Sequence, residues 1–153
     1  MRREILFRGK RVDNGECVYG YLFDDGYQNP RHVFVGGLMI DEYKGTACDE
    51  WDINGIDFYD VKPNTICQYT GLTDKSGKKI WEGDIIKYHF GEVYAPVKFG
   101  EYQSCFDSTS TSHVGFYVGW DENHDFRKDL GYWIKLVDAE VVGNIFDNPE
   151  LWR

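Results

Sequence analysis

Residues 68–87 read QYTGLTDKSGKKIWEGDIIK. A short strand over 65–70 runs into it, and Gly71 suits a turn directly after Tyr69-Thr70. Asp74-Lys75-Ser76-Gly77 has the form of a β-turn with glycine in last place. Gly83 then frees the backbone so that 84–90 enters a sheet. The Ile and Trp residues of the stretch read as core. Strand, turn, strand is therefore the grammar of the chain.

The same grammar extends outward. Residues 4–8 lead to Asp13-Asn14-Gly15, and 16–23 follow; Asn-Gly between two strand-like runs is a strong hairpin signal. Residues 23–27 form a second turn, and 33–40 a third strand, broken at Gly36-Gly37. Residues 41–60 hold seven carboxylates against Lys44 alone and read as a long exposed connection with short strand pieces near Ile53 and over 56–59. Beyond it, 84–90, 93–99, 114–120, 132–137 and 140–146 alternate apolar and polar residues as short strands. Residues 103–113 read as a mobile loop or an irregular edge and 121–131 as one helical turn or a long hairpin end, and Asn148-Pro149 opens a terminal helical turn that docks Leu151 and Trp152. The expected fold is mainly β with little helix: an N-terminal β meander (1–64) carrying the acidic connection, packed on a C-terminal small SH3-like β barrel (65–153).

Composition agrees. Aromatic residues are 17% of 153, a density that favours packing across pleated surfaces, and the 17 glycines supply turns and bulges. The formal charge of −9 disfavours a general phosphate-binding or membrane-surface role and suits a partner with a basic surface. Cys17, Cys48, Cys67 and Cys105 lie far apart, with no CxxC or Cys/His zinc spacing, and read as reduced thiols of a cytoplasmic protein. MRREILFRGKR is followed by no apolar h-region, so no signal peptide is expected, and no apolar run reaches membrane-spanning length.

Chemistry-bearing patterns are scarce. Residues 50–55 (EWDING) imitate part of a calcium loop but lack its spacing and its later bidentate acid, so no metal site is expected. His32, His89, His113 and His124 form no HxxxH or HExxH, and His89 is expected to face solvent. Cys105 with His113 would be a thiol–imidazole pair only if the Ser/Thr-rich loop between them folds back. Gly36-Gly37 lacks a phosphate-loop frame, and no GxSxG occurs. No catalytic residue and no cofactor are expected. The basic residues Lys75, Lys78, Lys79 and Lys87 accompany Tyr69 and Trp81, a mixture that can hold single-stranded nucleic acid by stacking and phosphate contact. Asp74, Glu82 and Asp84 dilute that charge, and the simpler reading has lysines keeping a turn soluble above a packed Trp81.

Three segments together resemble the YopX family of phage and prophage proteins: EILFRGKRVDNGECVYGYL at 4–22, QYTGLTDKSGKKIWEGDIIK at 68–87, and EVVGNIFDNPELW at 140–152. The resemblance implies a mostly β phage product and carries no catalytic residues with it. The expected function is a non-catalytic protein–protein interaction module in the host bacterial cytoplasm. Its partner would be a phage or host protein, or a second copy bound through exposed aromatic strand edges. The alternative is a nucleic-acid-associated protein using Lys75, Lys78, Lys79, Trp81 and Lys87.

Overall fold

The computed structural model describes residues 3–44, 49–104 and 111–152. Among the described residues the chain is mainly β, 50% strand and 10% helix, in antiparallel sheets. It divides into two compact units, one of residues 5–68 and one of residues 1–4 with 69–153.

The unit of residues 5–68 contains β1 (Phe7–Lys10), β2 (Cys17–Asp24), β3 (Val33–Lys44) and β4 (Asp49–Val61), then a 3-10 turn at Pro63–Thr65 and the start of β5 (Cys67–Thr73). Neighbours in this sheet run β4-β3-β2-β1-β5. The Asn14-Gly15 turn forms as the sequence requires: Gly15 has φ +72° and donates its N–H to the Arg11 carbonyl at 3.0 Å. Alternation selects the inner face. Val35 pairs with Leu22 and Val33 with Val61, and the three valines are fully buried, packed by Val18, Leu22 and Ile66.

Two expectations for this unit are corrected. Gly36-Gly37 does not break β3. A β-carbon on Gly36 would lie 1.9 Å from the Asp57 carbonyl oxygen, so the glycine lets β3 and β4 approach instead of parting them. Residues 41–44 and 49–60 are strand, not loop: β3 and β4 pair along their length from Val33↔Val61 out to Lys44↔Asp49. The misleading signal is a bulge. Met39 pairs with Gly55 and Ile40 with Ile53, leaving Asn54 as the extra residue and interrupting the period of two.

The other unit holds the rest of β5, with β6 (Lys79–Trp81), β7 (Asp84–Lys87), β8 (Tyr94–Tyr102), β9 (His113–Val118) and β10 (Glu140–Asn144). Four of these form an antiparallel sheet in the order β10-β7-β8-β9, and β5 pairs with β6 through Tyr69↔Trp81 and Thr73↔Lys79. Ile80, Ile86, Ala95, Val97, Val118, Trp120, Leu130, Trp133, Ile134 and Ala139 make its core. A bulge lies in β10, where the register shifts between Val141 and Gly143.

No closed barrel is found among the described residues, so the SH3-like closure expected from five C-terminal strands is not seen. Tyr132–Leu136, read as a strand, is a π-helical turn. Its consecutive residues Trp133 and Ile134 are both buried, which a strand with side chains on opposite faces does not achieve at a half-exposed surface. The 84–90 strand also stops early, at Lys87, and leaves Phe90 80% exposed. At the C-terminus, Pro149–Leu151 is the expected single turn. The Asn148 side chain does not cap it but accepts the Asn144 N–H at 3.3 Å, and Trp152 stays exposed.

Candidate functional site

The lysine and aromatic residues of 69–87 divide into two environments. Trp81 is 6% exposed and lies against Tyr69, ring centroids 5.5 Å apart. Its backbone N–H donates to Asp84 Oδ2 at 2.9 Å. Lys79 Nζ is 3.0 Å from Glu4 Oε2 and 4.9 Å from the Tyr69 ring centre, and the Glu4 carboxylate raises its pKa above the ordinary lysine value. Lys87 is likewise raised, by Glu92 at 3.2 Å. Lys75 and Lys78 are exposed on the Asp74–Gly77 turn, where Asp74 Oδ1 accepts the N–H of Ser76 at 2.8 Å and of Lys78 at 2.9 Å. Tyr69 thus gathers Lys79 and Trp81, while Lys75 and Lys78 stand in solvent and Lys87 turns to Glu92. A buried Trp81 offers no open ring face on which a base can stack.

The same unit carries an aromatic cleft of about 520 Å³ lined by Tyr88, Phe90, Phe126, Tyr132 and Trp133, with Asp125, Arg127 and His89 at its polar edge. Tyr88 stacks on Phe126 at 4.6 Å. The Arg127 carbonyl fixes two indoles, accepting Trp120 Nε1–H at 3.2 Å and Trp133 Nε1–H at 2.5 Å. These bonds satisfy the two buried indole donors and make the wall a rigid extension of the core. His89 faces solvent.

The unit of residues 5–68 presents a more apolar surface. Opposite its valine core, register places Phe23 beside Phe34, Leu38 beside Ile56, and Ile40 beside Ile53 on one face. Tyr21 is 62% exposed, Phe23 59% and Ile56 71%. Phe23, Phe34, Ile56 and Phe58 line a groove of about 380 Å³. The bulge extends this face to Ile53, since without Asn54 as the extra residue Ile53 would lie on the other side of β4. Sequence reading overlooked this surface because the apolar residues of 53–58 sit among carboxylates and change phase at Asn54-Gly55. The signal was present in Leu38/Ile40 and Ile56/Phe58, each spaced by two.

Charged groups elsewhere pair locally. His124 Nδ1 is 2.7 Å from Asp121 Oδ1, and this bond holds the Asp121 carboxyl below the ordinary aspartate range; His32 Nδ1 is 3.4 Å from Asp60 Oδ2. Both histidines thus contact carboxylates, and neither of these contacts makes a nucleophile–base pair. Among the described residues no three His, Cys, Asp or Glu side chains are placed to hold a metal, and no helix is long and apolar enough to cross a membrane. Cys17 is half-buried, and Cys67 is buried with its thiol donating to the Thr65 carbonyl at 3.6 Å. Cys48 and Cys105 lie outside the described residues, so the Cys105–His113 pair does too.

Comparison with known proteins adds family and fold. No curated protein matches the chain. A crystal structure of protein EF1440 from Enterococcus faecalis is similar at 20% identity with a TM-score of 0.51, covering 99% of this chain and 100% of that one. At that identity the likeness concerns the fold. The sequence model of the YopX protein family matches residues 7–153, which takes in nearly all of the three resembling segments and the β3–β4 hairpin. The chain therefore belongs to the YopX family.

Proposed function

We propose that the protein is a non-catalytic protein–protein interaction module, an accessory phage product working in the host bacterial cytoplasm, and that it binds through the apolar face of β2, β3 and β4. The observation that carries this reading is the exposure of Tyr21, Phe23, Leu38 and Ile56 on one sheet face, each more than half accessible. A soluble chain rarely leaves a contiguous patch of this kind to water without a partner for it. Exposed aromatics backed by a rigid sheet are also what anchors an interface at little cost in side-chain entropy.

The nucleic-acid reading has less support. Its aromatic platform is buried, Lys79 and Lys87 have carboxylate partners, and the chain carries −9 overall.

The test is affinity capture from prophage-carrying cells with the wild-type chain and with a Phe23→Asp/Ile56→Asp variant. Both positions are exposed, so the variant is expected to fold. A specific protein retained by the wild type and lost by the variant supports the reading. Equal recovery by both, or recovery by neither, overturns it.

A further inference from the structure

We infer that the partner segment is a basic, amphipathic β-strand that adds to the outer edge of β4; this rests on the interaction reading above and names the chemistry of the partner. β4 is the terminal strand of its sheet. Among the described residues its outer side is covered only near the C-terminal end, where Val61 bridges to Arg11 and Val12 N–H donates to the Asp60 carbonyl at 3.0 Å. Between Ile53 and Tyr59 no described strand pairs with that side, which leaves a row of backbone donors and acceptors for an incoming strand.

Side chains of β4 define what that strand carries. Ile53, Ile56 and Phe58 project to the groove face, so apolar residues on the incoming strand continue that surface. Asp52 and Asp57 occupy the opposite face. Asp57 pairs in register with Gly37, and Asp52 with Asp41, so β3 sets no cation opposite either carboxylate. The open side of β4 is where cross-strand cations would stand, and opposite-charge pairs across a ladder are stabilising. An alternating strand, apolar on one face and Lys or Arg on the other, satisfies both faces at once. A second copy of β4 brings no Lys or Arg to Asp52 or Asp57 and adds further carboxylates beside them. The carboxylates thus favour a basic partner over a second β4.

The experiment uses three fluorescent synthetic peptides, each about ten residues long, the upper length of ordinary strands. One alternates Val and Lys, one alternates Val and Glu, and one alternates Ser and Lys. Fluorescence anisotropy against the full chain is expected to show the Val/Lys peptide binding at least about tenfold tighter than either control. Ile56→Asp should weaken it by about tenfold, and Asp52→Asn/Asp57→Asn should weaken it and flatten its salt dependence. Circular dichroism checks that the variants fold, and amide shifts on the wild type should concentrate at 53–59. Equal binding of the Ser/Lys peptide would reduce the effect to charge alone. That result, equal binding of the Val/Glu peptide, or no binding at all overturns the inference. If the peptides fail while capture remains dependent on Phe23 and Ile56, the basic-strand inference falls and the interaction reading stands; if both fail, both fall.

Discussion

Asp84 Oδ2 accepts the backbone N–H of Trp81 at 2.9 Å, and both residues are buried. The bond closes the Trp81-Glu82-Gly83-Asp84 turn that joins β6 to β7. Gly83, at φ +82°, donates its N–H to the Val97 carbonyl at 2.8 Å and accepts the Ile145 N–H at 2.8 Å. The turn therefore links the family's central segment to β8 and to the chain just after β10. Asp84→Ala is expected to destabilise by about 1–3 kcal/mol, the usual cost of leaving a buried donor without its acceptor. Asp84→Asn keeps an acceptor oxygen and should lose less. Urea unfolding of the two variants, with comparable m-values, checks the order.

The two central glycines of β3 should behave oppositely. A β-carbon at Gly36 would meet the Asp57 carbonyl oxygen at 1.9 Å, whereas at Gly37 it would meet nothing within 4 Å. Backbone cannot swing aside as a side-chain tip can. Gly36→Ala should therefore cost about 3 kcal/mol or more, the upper range for overpacking, and Gly37→Ala should stay within about 0.5 kcal/mol of wild type. Thermal melts of the pair check the contrast, and a neutral Gly36→Ala would contradict the close approach of β3 and β4.

Lys75 and Lys78 stand on the exposed turn, so Lys75→Ala/Lys78→Ala should change stability by no more than about 0.5 kcal/mol. Asp74 holds that turn through two N–H groups, and Asp74→Ala should cost about 1 kcal/mol. With Trp81 buried, no salt-dependent shift with single-stranded DNA or RNA is expected from the wild-type chain. A shift that Lys75→Ala/Lys78→Ala abolishes would restore the nucleic-acid reading.

Asp24 gives a prediction in pH. The Gly26 N–H, and then Arg31 at 2.8 Å, hold its carboxyl below the ordinary aspartate value of 3.8. A carboxyl depressed on folding contributes stability that is fully present above its unfolded value and lost as pH falls through the folded one. Asp24→Asn should therefore lower the urea midpoint slightly at neutral pH and lose that difference progressively below pH 3.8. Because the group is solvent-exposed, the effect should also shrink in high salt.

The sequence by itself determined the elements whose signals are local. Asn14-Gly15 set the first hairpin, Asp74–Gly77 a β-turn, Gly83 the entry to β7 and Asn148-Pro149 the last turn, because each depends on φ preferences and bonds within a few residues. Alternation over 93–99 and 114–120 likewise marked β8 and β9. Only the tertiary structure decided the rest. Residues 41–44 and 49–60 are strand because β3 and β4 supply each other the backbone partners that their acidic composition conceals. Residues 132–136 wind into a helical turn because burying Trp133 and Ile134 together outweighs their strand-like pattern. The apolar face reaches Ile53 because one extra residue, Asn54, returns Ile53 to the side of Ile56. A bulge is a relation between two strands, and a single strand's sequence does not contain its partner's register.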